Sequence, residues 1–124
     1  MIDLSRSHSR YSARQYLQWL PNEIDGDGES WFRIANAAQH LGYEREELQE
    51  FLRLCMLRLL DSGAVPVLFA AEGPLTWVEQ INYGSTNEER AAAIVAEWVA
   101  KGSPRPEWDD LWFVTRRVLE TSRR

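Results

Sequence analysis

The chain has 124 residues, 44% of them hydrophobic and 27% charged, a net charge of −5 and a single cysteine. That is enough chain for one self-supporting core. The composition is not that of a disordered segment, and no apolar run approaches the roughly 18 residues that a transmembrane helix needs. One cysteine excludes an internal disulfide, and the polar start MIDLSRSHSRYS lacks the apolar core of a signal peptide, so a cytosolic protein is expected.

Residues 1–10 are polar and are expected to be loose. A short helix is predicted over Ala13–Leu20, with Tyr16, Leu17 and Leu20 on its apolar side and Pro21 ending it. Residues 22–29 (NEIDGDGE) read as a loop: Gly26 and Gly28 supply positive φ, and the aspartates favour turns. Ser30 is placed to cap a helix over Trp31–Leu41, whose inner stripe is Trp31, Ile34, Ala38 and Leu41, with Gly42 as its stop. Glu44–Asp61 reads as a longer, central helix with Leu48, Phe51, Leu52, Cys55 and Leu59 inward and Glu46, Gln49, Glu50 and Arg53 outward.

Ala64–Ala70 has strand composition, and Pro66, which cannot donate to a ladder, predicts an edge strand. Glu72-Gly73-Pro74 is a turn and Leu75–Ile81 the second arm of a hairpin. Residues 85–88 (Ser-Thr-Asn-Glu) have a capping-box pattern ahead of a helix over Thr86–Lys101, with Ala91, Ile94, Val95, Trp98 and Val99 inward and Gly102 as its end. Ser103–Pro106 is a rigid loop. Leu111–Thr115 is the best third strand, with a final helix through Leu119 as the alternative. The fold class is therefore α+β: one mainly helical domain over residues 1–124, about four helices with a small antiparallel sheet, in a layout open to a winged-helix arrangement.

Charge is distributed unevenly. Residues 21–50 hold eight acidic side chains (Glu23, Asp25, Asp27, Glu29, Glu44, Glu46, Glu47 and Glu50) against two basic ones, Arg33 and Arg45. A field of that sign attracts a basic partner and repels phosphate. Asp25–Glu29 has part of a calcium-loop pattern, but in that register the bidentate Glu at the twelfth position is replaced by Ile34, so a solvated turn is the better reading. Cys55 sits among apolar residues, where a thiol is inert. His8 and His40 have no ligands at metal spacing and are read as surface residues. No phosphate loop and no nucleophile elbow occur, so neither catalysis nor a cofactor is expected. Trp31 and Trp98 are assigned to the core and Trp77 to a half-buried strand. Trp108 and Trp112 flank Asp109 and Asp110, where an exposed tryptophan suits a protein interface.

Two resemblances follow. The helices at 31–41 and 44–61 followed by the hairpin at 64–81 resemble a winged helix, which implies a DNA-binding regulator. The helix that would enter the major groove presents Glu46 and Glu50 to phosphate, which opposes that role. In size, acidity, mixed layout and lack of an active site, the whole chain is similar to the small immunity proteins of bacterial toxin–immunity systems. No motif carries that resemblance, so no site transfers residue by residue. It implies a basic partner, a toxin domain, blocked by occlusion through an acidic face, with no nucleic acid and no membrane involved. The candidates for that face are Asp25, Asp27, Glu29, Glu46 and Glu50, with Trp108, Asp109 and Asp110.

Overall fold

A computed structural model describes residues 2–8, 11–24, 28–69, 77–102 and 111–122. Among the described residues, five α-helices pack with a four-stranded antiparallel sheet: α1 (Ala13–Trp19), α2 (Trp31–His40), α3 (Arg45–Asp61), α4 (Asn87–Ala100) and α5 (Arg116–Ser122). A 3-10 helix, Leu20–Ile24, continues α1. The sheet runs in the order β3 (Glu29–Ser30), β6 (Trp112–Thr115), β4 (Ala64–Phe69), β5 (Trp77–Glu79). A separate two-stranded ribbon pairs β1 (Ser7–His8) with β2 (Tyr11–Ser12). The α+β reading of the sequence holds.

The sheet is covered on both faces. Ala64, Leu68, Leu111 and Phe113 face the large core built with the first four helices. Their alternating neighbours Val65, Val67, Trp112 and Val114 face α5 through Leu119 and Val118. Two covered faces are why β4 is apolar along its whole length rather than alternating. The strand order overturns the expectation of an edge strand: β4 lies between β6 and β5. Proline is tolerated there because of where its missing N–H points. The Pro66 carbonyl accepts from Gln80 N at 2.9 Å, one residue past the end of β5. In an antiparallel strand a residue's N and C=O face the same neighbour. The Pro66 nitrogen therefore faces the stretch where β5 has already ended, and no bond to β6 is lost.

α3 is the central helix. Phe51, Leu52, Cys55, Met56 and Leu59 are fully buried on it. Trp31 and Trp98 meet edge to face at 5.5 Å, joining α2 to α4. Ser30 caps α2 by accepting from Arg33 N, and Gly42 ends that helix at φ +86°. For α4 the cap lies one residue later than the sequence pattern suggests: Thr86 accepts from Glu89 N, and Glu89 reaches back to Ser85 N at 3.3 Å. Gly28, at φ +93°, lets the chain press onto the sheet, since a Cβ there would stand 2.8 Å from the Phe113 carbonyl oxygen.

Residues 2–8 are docked, not loose. The Tyr43 hydroxyl donates to the Asp3 carbonyl, and Arg6 donates to the Gly42 carbonyl and to Glu47. The Arg6 guanidinium also lies 5.0 Å over the Tyr43 ring. Ala13 N and Arg14 N donate to the Arg6 and Leu4 carbonyls. A capping box between Ser12 and Gln15 then starts α1. Ile2 and Leu4 pack against the main core. A polar composition hid this because the holding groups are single side chains and backbone carbonyls, which leave no periodic pattern.

Candidate functional site

The acidic candidates separate. Glu46 and Glu50 lie on the outer side of α3, as the spacing predicts. Glu46 is exposed and Glu50 half-buried. Asp25, Asp27, Trp108, Asp109 and Asp110 lie outside the described residues, as do Gly26, Glu72-Gly73-Pro74 and Ser103–Pro106; so do the side chains of His8, Glu23 and Trp77. Glu29 must be withdrawn from any exposed face, because only 2% of it is accessible. It belongs to β3, paired with Phe113 of β6, and this pairing carries its side chain inward. Trp112 is half-buried against the α5 side of the sheet.

The described residues form several concave features, and two stand out. The first runs along α3 and has a volume of about 690 Å³. Ile2, Leu4 and Leu54 give it an apolar floor, and Glu46, Glu47 and Glu50 with Arg14 form its rim. Part of the acidity has a local purpose. α3 has no side-chain cap at Glu44, so Glu46 and Glu47 in its first turn face the positive end of the helix dipole. Glu47 is paired with Arg6 at 3.1 Å. Glu50 accepts from Arg53 Nε at 3.1 Å and from a second guanidinium nitrogen. That hydrogen bonding, more than the charge alone, holds the Glu50 carboxyl below its ordinary range. Glu46 makes no hydrogen bond or ion pair with any described residue. On the far side of this ridge, Glu46, Gln49, Glu50 and Arg53 face Ala92, Ala96, Val99 and Ala100 of α4 across a second groove.

The second feature has no full signature in the sequence pattern. It is a cleft of about 380 Å³ between α1 and α2. Its aromatic wall is Tyr11, Tyr16 and Trp19. Tyr11 and Tyr16 stack at 5.7 Å, and Tyr11 meets Trp19 at 6.2 Å with ring planes 68° apart. Trp19 is 45% exposed, unusual for so large a ring. The opposite wall is one side of α2, where Arg33, Asn36, Ala37 and His40 recur at three- and four-residue spacing. Glu29 also lines the cleft, 3.5 Å from Arg33 Nε and accepting from Ser30 N. Burial pushes the Tyr16 phenol well above its ordinary range. A usable signal existed: Tyr11, Tyr16 and Trp19 fall within nine residues. Nothing in the pattern showed that α2 would lie opposite.

Cys55 is fully buried behind this region, and burial raises its thiol well above the ordinary range, with the Glu29 charge as the lesser cause. It fits the expected inert core cysteine. No helix among the described residues is long and apolar enough to cross a membrane. No protein-family model matches the chain, and no curated protein or solved structure does either.

Proposed function

We propose that this protein is a binding module for another protein, whose partner presents a basic, amphipathic surface to the groove along α3. One observation carries the reading: an apolar floor of Ile2, Leu4 and Leu54 beneath a rim of Glu46, Glu47 and Glu50 with Arg14, in which Glu47 and Glu50 are paired with Arg6 and Arg53 and Glu46 has no described partner. Such a groove complements a segment with apolar residues on one side and Lys or Arg beside them. The carboxylate rim accelerates encounter and the floor slows escape. In its most specific form the proposal is a cytosolic immunity protein that occludes a bacterial toxin domain, with binding rather than catalysis as its task.

The test is kinetic. Basic toxin domains, beginning with any encoded by a neighbouring gene, are passed over the immobilised protein at several salt concentrations. Association should be fast and salt-sensitive, and the double reversal Glu46→Lys with Glu50→Lys should slow it at least tenfold. An unchanged on-rate would remove α3 as the docking face.

The winged-helix reading keeps one favourable observation: α2, a short turn, α3 and the β4–β5 hairpin do follow in that order. Against it, α4 lies along the outward side of α3. Arg6 and Arg116, two of the terminal cations that such a protein would use, are already bonded to Glu47 and Glu79. Titration with a mixed-sequence duplex should show no binding at physiological salt, where real DNA binders have non-specific constants of about 10⁻⁴ to 10⁻⁶ M. Micromolar binding that disappears on replacing Arg116 and Arg117 would favour the regulator.

A further inference from the structure

The cleft between α1 and α2 is built differently from the α3 groove and plays no part in the function proposed above. One wall offers ring faces and the other offers hydrogen-bonding groups. Two polar groups in the cleft make no hydrogen bond to any described residue. Asn36 is half-buried, and its amide makes no hydrogen bond to any described residue. The Tyr16 hydroxyl is likewise without a described partner, although its ring is largely enclosed. Arg33 stands at the cleft edge with 62% of its side chain exposed, its Nε 3.5 Å from the Glu29 carboxylate. No buried side-chain polar atom among the described residues lacks a partner, so these groups are met by water at the cleft surface, where a ligand edge takes the water's place.

Charge selects the class of ligand. The Glu29 carboxylate is paired with the Arg33 guanidinium, so the cleft offers neither a phosphate nor an ammonium group a net opposite charge. Shape selects further. The Tyr11 and Trp19 rings stand 68° apart and form a corner, one ring serving as a platform and the other as an end wall. A flat ring stacks on such a platform, and every nucleobase has the required π-face. The Asn36 amide carries a donor and an acceptor side by side, matching the adjacent donor and acceptor on a purine edge. We propose that this cleft binds a purine base or nucleoside, stacked on the aromatic wall with its edge on Asn36. The volume of about 380 Å³ falls in the range of small-molecule sites.

Adenosine and guanosine are titrated separately into the full chain, followed by calorimetry and tryptophan fluorescence. At least one should saturate with a dissociation constant below about 1 mM. Asn36→Ala should weaken it about tenfold or more, the scale of one bidentate base contact. Trp19→Phe should keep the binding heat and lose most of the fluorescence change, whereas Trp19→Ala should lose both. Asn36→Asp, which keeps an acceptor and drops the donor, substitutes if the alanine variant does not fold. Unchanged melting temperatures establish that the variants are intact. No saturation by either nucleoside, equal affinity in Asn36→Ala, or tighter binding of methyl glucoside than of either purine would each overturn the proposal.

Discussion

The groove along α3 and the cleft between α1 and α2 use carboxylates in opposite ways. In the groove, Glu46 and Glu47 are exposed and Glu50 is half-buried, and their pairings with Arg6 and Arg53 are surface pairs. Such pairs contribute little to stability, about 0–1 kcal/mol each, and salt weakens them. In the cleft a single carboxylate, Glu29, is almost fully enclosed and bonded to backbone and guanidinium. Losing it leaves a buried donor unmet, which costs more than losing several surface charges. The number of acidic residues in a stretch therefore says little about which of them the fold depends on.

The largest effect should come from the residue beneath both features. Phe51 is fully buried, stacks on Tyr43 at 4.7 Å and tilts against Tyr16 at 6.2 Å. Phe51→Ala should destabilise the protein by about 3–5 kcal/mol in urea melts. Hydrogen exchange should rise on both sides of α3, near Tyr16 and near Tyr43. Loosening confined to one side would mean that the two regions are independent.

The comparison itself is tested by two alanine substitutions. Glu29→Ala should cost about 1–3 kcal/mol, because Ser30 N loses its acceptor in a buried place. Glu46→Ala should stay within about 0.5 kcal/mol, as surface changes do. Similar losses from both would erase the distinction between groove and cleft.

Alkaline pH should strain the cleft side first. The Cys55 and Tyr16 groups are held protonated in the fold, chiefly by burial. Their folded pKa values lie above the unfolded ones, so their contribution is complete below the unfolded values and is lost as pH rises. The loss should begin near pH 9.0, the ordinary thiol value, and continue from 10.0 for the phenol. Each group contributes a slope of about 1.4 kcal/mol per pH unit. Cys55→Ala should delay the onset, and thiol labelling of the native protein should be far slower than that of the unfolded chain. Equal labelling rates would place Cys55 outside the core.

The smallest effect belongs to the groove. Glu50 has a depressed folded pKa, so its contribution is present above the unfolded value and is lost as pH falls through the folded one. The side chain is 42% exposed, and screening reduces the contribution. Arg53→Ala should therefore cost only about 0.2–0.5 kcal/mol near neutral pH, and less in acid. A cost several times larger would show that the pair fastens α3 rather than decorating it.

The elements whose signals are local were legible in the sequence. Ser30, Gly42 and Gly63 punctuate helices through their own side-chain or backbone chemistry, and the inward stripe from Phe51 to Leu59 is fixed by the period of the α-helix. What the tertiary structure decided depends on partners far away in the chain. β3 exists because Glu29 and Ser30 meet Phe113 and Trp112, and that pairing buries a carboxylate that composition assigns to a solvated loop. β4 is interior because β6 and β5 pair with its two edges, and Pro66 is tolerated there because β5 ends opposite it. Residues 2–8 are held because Tyr43 and Gly42 come within reach of Asp3 and Arg6. Local chemistry starts and stops the helices of this chain, but burial depends on which surfaces meet, and that is known only once the helices and strands have packed.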